Sequence, residues 1–228
     1  MIGVTENLLK IRDLLSNCAI EAGRPADAVR LLAVSKRQPL EKLFEAARAG
    51  QRDFGENVVQ EALAKFEETA SLDVSWHFIG HLQTNKTRAV AEHFDWVHSI
   101  DRLKTARRLS SQRPEGLDPL NVCLQVNIDA EEGKSGAAIE ELPDLAHAVA
   151  ELPNIRLRGL MCLPAIRTEF EAQREPFARL KEQFEQLRSA GLELDTLSMG
   201  MTDDYRAAIF EGATIVRLGT AIFGTRET

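Results

Sequence analysis

The 228-residue chain alternates short apolar runs with amphipathic helical stretches, eight times in succession, and this alternation constrains its fold more than any other feature. An amphipathic helix opens the chain from about Thr5 to Ala22, with Ile11, Leu14, Leu15 and Cys18 on one stripe. Strands are then predicted at Val29–Val34, Asp53–Phe54, Ser75–Ile79 and Trp96–Ile100, followed in turn by helices at Leu40–Ala49, Val58–Thr69, Lys86–His93 and Arg102–Ser111. The second half repeats the scheme with strands at Asn121–Ile128, Arg156–Cys162, Thr196–Ser198 and Thr214–Arg217. Their helices fall at Ala138–Leu152, Phe177–Ala190 and Asp204–Glu211, and a short turn closes the chain. Strands separated by helices pair in parallel. Eight such units in about 200–250 residues match a closed (β/α)8 barrel. An open, doubly wound sheet would carry a glycine-rich fingerprint in its first βα turn, where this chain reads AVSKRQPL. With no low-complexity segment or Ser/Gly linker, residues 1–228 read as one α/β domain, a TIM barrel with an extra N-terminal helix.

Charge and cysteine usage narrow the functional classes. A formal charge of −7 argues against nucleic acid or an anionic membrane surface as a partner. The longest apolar stretch, Gly159–Ile166, is too short to span a bilayer and contains Pro164. The opening MIGVTENLLK lacks a basic segment followed by an apolar core, so no secretory leader is expected. Cys18, Cys123 and Cys162 are an odd, widely spaced set that suggests reduced thiols. The expectation is a cytoplasmic protein.

In a barrel of this kind the working face lies at the C-terminal ends of the strands. The first strand runs into LLAVSK, which puts Lys36 at the mouth as an anion clamp, a Schiff-base amine or a solvated end-of-strand residue. The eighth strand leads into VRLGTAIFG, where Arg217 points into the mouth and Gly219 lets the backbone approach a ligand. Thr220 and Ala221 there offer amide donors at the start of a short helix. LSMGMTDD offers Ser198 and Gly200 to complete a phosphate cup, the alternative being that Gly200 and Gly219 are merely turn glycines, with Thr202 read as an N-cap for a helix starting at Asp203. After the second strand, FGEN places Glu56 and Asn57 at the mouth; Asn57 either contacts a ligand or caps the next helix. His77 and His81 have the spacing of helical metal ligands, but they lie in strand and turn without an HExxH pattern. No metal site is expected; His77 reads as a half-buried strand residue and His81 as a loop residue near the ligand. EGKSG at Glu132–Gly136 lacks the earlier glycine of a Walker loop, which leaves Lys134 a solvated loop lysine. Cys123 and Cys162 sit in apolar strands and read as buried structural thiols.

Seven motifs fall in order along the chain: LLAVSK (Leu31–Lys36), FGEN (Phe54–Asn57), WHFIGHLQTNK (Trp76–Lys86), KSG (Lys134–Gly136), RGLMCLP (Arg158–Pro164), LSMGM (Leu197–Met201) and VRLGTAIFG (Val216–Gly224). Together they closely resemble the pyridoxal phosphate homeostasis protein family, also called the YggS/PROSC family. The resemblance implies a fold like the N-terminal barrel of alanine racemase, with pyridoxal 5′-phosphate (PLP) held as a covalent aldimine. Carried over residue by residue, Lys36 is the Schiff-base lysine, and Ser198, Gly200, Gly219 and Thr220 hold the phosphate. Arg217 faces the pyridine nitrogen and Asn57 lines the cofactor. Thr202 departs from the family, whose members often have serine there. A cation beside the ring nitrogen disfavours its protonation and makes PLP a poor electron sink, which suits carriage better than catalysis.

The resemblance therefore implies a monomeric, non-catalytic PLP carrier in PLP homeostasis, with PLP-dependent apo-enzymes as recipients. An amino-acid racemase is the alternative, but racemases of this kind add a C-terminal domain that supplies a catalytic tyrosine. That domain is not expected here, and the lone Tyr205 falls on the helix after the seventh strand. A phosphosugar-binding barrel enzyme is a third reading, one that gives Lys36 no special role.

Overall fold

The strands form from short segments that are largely buried on both faces of a parallel sheet, most of them rich in apolar residues. In the computed structural model, which describes residues 3–224, they are β1 (Arg30–Val34), β2 (Asp53–Glu56), β3 (Ser75–Phe78) and β4 (Trp96–Ile100), then β5 (Leu120–Val126), β6 (Ile155–Cys162), β7 (Thr196–Ser198) and β8 (Ile215–Leu218). They pair in sequence order and close on themselves: Ala33 lies opposite Phe54 of β2 on one side and Leu218 of β8 on the other. The helices are α1 (Val4–Glu21), α2 (Leu40–Arg48), α3 (Val59–Thr69), α4 (Thr87–His93), α5 (Leu103–Gln112), α6 (Leu142–Ala150), α7 (Phe170–Ser189), α8 (Tyr205–Phe210) and α9 (Thr220–Phe223). The closed parallel barrel and the additional helix α1 match the expected fold.

Apolar side chains collect in two places. A large cluster fills the space between barrel and helices, and a small separate one, Trp96, Cys123 and Met161, lies apart from it. Gly159 permits tight contact between β6 and β7, since a Cβ there would meet the Thr196 carbonyl oxygen at 1.8 Å.

Helix α7 departs from its expected span and α1 from its expected buried stripe. The periodicity places a helix start at Phe177, after Pro176, whereas α7 begins at Phe170 and carries Pro176 in its interior. Proline there forfeits one backbone hydrogen bond, and its ring is buried with Phe177 and Leu180. In α1 the buried stripe is Val4, Leu8, Ile11, Leu15, Cys18 and Ala19, while Leu14 is 54% exposed. Leu14 precedes Leu15 by about 100° of helical rotation, which turns it off that face. Burial of each large side chain of the stripe contributes about 1.5–3 kcal/mol.

The helix α1 also helps place the end of the barrel. Asn7 Nδ2 donates to the Ile222 carbonyl (2.9 Å), and Lys42 Nζ of α2 donates to the Phe223 carbonyl (2.7 Å). These donors satisfy C-terminal carbonyls of α9, a helix too short to be stable alone, and so hold the Gly219–Thr220 turn against the barrel.

Candidate functional site

A cavity of about 360 Å³ opens among the loops at the C-terminal ends of the strands. Lys36, Asn57, Arg217, Gly219 and Thr220 line it, joined by Gln38, Gly80, Met161, Leu163, Met201 and Thr202. A cavity of about this volume falls within the size range of small-molecule sites.

Lys36 follows β1, half-buried at the cavity wall. The backbone on both sides of it is fastened from beneath. Lys65 Nζ donates to the Ser35 carbonyl (2.8 Å), to Glu56 Oε1 (2.7 Å) and to Glu61 Oε1 (3.2 Å). The Ser35 hydroxyl also donates to Glu56 Oε1 (2.7 Å), and the Arg37 amide donates to Glu61. Arg37 has φ +56°, a left-handed conformation uncommon for a residue other than glycine. Burial raises the Glu56 carboxyl above its ordinary value, against the pull of the Lys65 ammonium.

Arg217 is buried at the cavity floor. Its NH1 group donates to the Ser198 carbonyl (2.6 Å) and hydroxyl (2.9 Å), and its NH2 group to the Cys162 carbonyl (2.9 Å). All three acceptors are formally neutral, and burial lowers its basicity. Its Nε–H has no hydrogen-bond partner among the described residues and so is free for a ligand acceptor. The neighbouring thiols of Cys123 and Cys162 are pushed up by burial to about 12 and stay protonated at neutral pH.

At the far side, Gly219 packs so tightly that a Cβ would sit 3.1 Å from the Val34 carbonyl oxygen. Thr220 and Ala221 open α9, where first-turn amides have no intrahelical acceptor. Asn57 and Gly80 meet across the rim, where a Cβ on Gly80 would lie 2.2 Å from the Asn57 carbonyl oxygen.

Over residues 11–227 the chain matches the model of the alanine racemase N-terminal domain family. A pyridoxal phosphate homeostasis protein of Pseudomonas aeruginosa is 58% identical over 227 residues, which cover 100% of this chain and 97% of that one. The Escherichia coli K12 protein of the same name is 51% identical over 230 residues, covering 100% and 98%. The chain belongs to the pyridoxal phosphate homeostasis protein family. Among solved structures, PipY of Synechococcus elongatus with PLP bound superposes with a TM-score of 0.86 at 37% identity, covering 97% of this chain and all of that one. Alanine racemase of Corynebacterium glutamicum shares the fold at 17% identity, with a TM-score of 0.70, and this chain covers 61% of its length.

Against this family background, the expected site residues divide into two layers. Lys36, Asn57, Arg217, Gly219 and Thr220 meet at one cavity. Ser198 and Gly200 stand behind its wall. Ser198 is fully buried and bonded to Arg217. Gly200, at φ +94°, accepts the Arg217 amide hydrogen at its carbonyl, and a Cβ there would crowd Ala208. Thr202 lines the cavity instead of capping a helix. The N-cap position of α8 is Asp204, whose Oδ1 accepts the Met201 amide hydrogen at 2.6 Å.

His77 is fully buried, not half-buried as its strand position suggested. His81 bonds Ser135 in an exposed contact (3.2 Å). No group of three or more potential metal ligands occurs among the described residues. Among the described residues no helix is long and apolar enough to cross a membrane. Glu56, expected at the mouth beside Asn57, is instead fully buried and paired with Lys65, because its carboxylate takes hydrogen bonds from Lys65 and the Ser35 hydroxyl. The sequence signal of this pair is a lysine on the helix face that Val59, Ala62 and Thr69 bury.

Proposed function

We propose that the cavity binds PLP as an imine of Lys36 and that the protein carries the cofactor for delivery to PLP-dependent apo-enzymes, without catalytic turnover. The observation that carries this reading is the convergence of a lysine, an arginine with a free N–H, and a helix-opening turn on one cavity. Lys36 would supply the amine for an imine with the PLP aldehyde, with loss of water. Thr220 and the free amides that open α9 would hold the phosphate, supported from behind by Ser198 and Gly200. Arg217 would offer its Nε–H to an unprotonated ring nitrogen, and Asn57 would border the ring. A cation in that place leaves the ring a weak electron sink, which favours storage over carbanion chemistry. The solved PLP complex of PipY and the names of the full-length relatives support the ligand and the homeostatic role.

The racemase alternative requires a second acid/base at the cavity. Tyr205, the chain's sole tyrosine, instead borders a separate small cleft with Leu14 and Leu15. The reading extends to a monomer acting in the cytoplasm.

The test is an absorbance titration with PLP, followed by borohydride reduction and peptide mapping. A yellow adduct that maps to Lys36 is expected. Lys36→Ala should lose the adduct while keeping cooperative unfolding, because this residue belongs to the rim. A colourless protein with Lys36 unmodified refutes the reading and advances a phosphosugar ligand. Amino-acid racemisation or transamination with turnover refutes the carrier role.

A further inference from the structure

Beneath the cavity, a line of polar side chains, buried except for the partly exposed Asp53 at its outer end, crosses the barrel. Asp53 opens β2, His77 is on β3, His98 on β4, Ser198 on β7 and Arg217 on β8. Four hydrogen bonds join them. Asp53 Oδ1 lies 3.0 Å from His77 Nε2, His77 Nδ1 is 2.9 Å from His98 Nε2, His98 Nδ1 is 2.7 Å from Ser198 Oγ, and Ser198 Oγ is 2.9 Å from Arg217 NH1.

The two ends fix every proton between them. A carboxylate only accepts, so His77 carries its hydrogen on Nε2. Its Nδ1, in a neutral ring, then accepts from His98 Nε2–H. The remaining His98 nitrogen accepts the Ser198 hydroxyl hydrogen, which leaves Ser198 Oγ free to accept from the guanidinium. A His77 cation donating at both nitrogens would reverse the middle of the line and orphan the Ser198 hydrogen. It would also place a charge on a ring that is fully buried and stacked on Trp96 at 5.3 Å. Burial lowers the pKa of both imidazoles and favours the neutral assignment.

We propose that His77, His98 and Ser198, anchored by Asp53, form a one-directional hydrogen-bond line that positions Arg217 and directs its free Nε–H toward the ligand ring nitrogen. The consequence at the ring rests on the PLP reading; the direction of the line does not. In this proton arrangement Ser198 donates to His98 while accepting from Arg217; in the reversed one Oγ accepts from both and its own hydrogen has no acceptor in the line. A change at Asp53 is therefore transmitted to the cavity floor.

The experiment uses the full chain labelled with 15N-histidine, and reads imidazole tautomers by NMR with and without added PLP. Both buried rings should be neutral Nε2–H tautomers near neutral pH in the ligand-free protein. A protonated ring or an Nδ1–H tautomer overturns the proposal. Asp53→Asn offers a donor as well as an acceptor to His77 and so removes the fixed direction. It should mix the tautomers, shift the absorbance of bound PLP and speed its release about tenfold, the loss expected when a hydrogen bond to a charged group is perturbed. Ser198→Ala should have the same optical effect, and Ser198→Thr, which keeps the hydroxyl, should restore the spectrum. Unchanged PLP absorbance and release in both Asp53→Asn and Ser198→Ala would overturn the positioning role. If wild-type protein takes up no PLP, the proposed function fails, while the tautomers still decide the direction of the line.

Discussion

Replacing Lys65 by methionine tests whether the backbone around Lys36 is held by the buried cation beneath it. The substitution keeps an unbranched side chain one heavy atom shorter and removes the donor shared by the Ser35 carbonyl, Glu56 and Glu61. Glu56, with no exposed side-chain surface, is left with the Ser35 hydroxyl as its remaining side-chain donor among the described residues. Breaking one side of a buried ion pair destabilises a fold by about 3–5 kcal/mol. At roughly 2–4 °C per kcal/mol for a chain of this size, the melting temperature should fall by roughly 6–20 °C at neutral pH.

The pH dependence carries a sign that a simple packing defect would lack. Glu56 already lies above its ordinary carboxyl value through burial, and Lys65 opposes that rise. Without Lys65 the folded-state pKa climbs further above the unfolded one. Stability in the variant is then fullest below the unfolded pKa and is lost as pH rises through the folded value. Calorimetry from about pH 4 to pH 8 should show the deficit growing with pH, starting near the ordinary glutamate pKa. Glu56→Gln combined with Lys65→Met should recover most of the loss, because no charge is then stranded. A single variant that melts within about 2 °C of wild type at neutral pH, less than 1 kcal/mol at this size, refutes the clamp. So does a deficit that grows on acidification.

Two further expectations follow from the packing. Gly159→Ala drives a methyl into the Thr196 carbonyl across the β6–β7 pairing, so soluble yield should collapse or stability fall by at least about 3 kcal/mol, as for severe core defects; near-wild-type melting would refute the close approach. The loop after β6 is tied to Asp129, which accepts from the Ala165 amide, Arg167 and Arg179. The Arg167 hydrogen bond leads the effects that hold its carboxyl below 3.8. That contribution is present above the unfolded pKa and lost as pH falls through the folded value, so the protection of the amides of residues 165–168, relative to their intrinsic exchange rates, should fall on acidification. Asp129→Asn should show the same loss of protection at neutral pH, and unchanged protection in both cases would contradict the tie.

The sequence exposed the barrel because burial on both sheet faces leaves an apolar signature in each strand, even in β7 with three residues. It exposed Lys36, Asn57, Arg217, Gly219 and Thr220 because strand ends in such a barrel converge on one face. The second layer was harder to read. Ser198 looked like a ligand contact, but the closing of β7 against β8 turns its hydroxyl toward Arg217 and His98. His77 and His98 lie on different strands, and only the parallel register that sets His77 opposite Trp96 brings the rings together. Pro176 hid the first turns of α7 because local propensity cannot anticipate a buried proline whose packing compensates its missing donor.

The surroundings of Arg217 also bear on how long the protein survives. A buried cation whose three hydrogen-bond acceptors are all neutral is stabilised further by a bound anion. A ligand at 100 times its dissociation constant adds about 2.7 kcal/mol to the folded state. On the proposed carrier reading, PLP-loaded molecules should therefore unfold less often than ligand-free ones and resist proteolysis longer. Cofactor supply would then set the size of the pool that holds it.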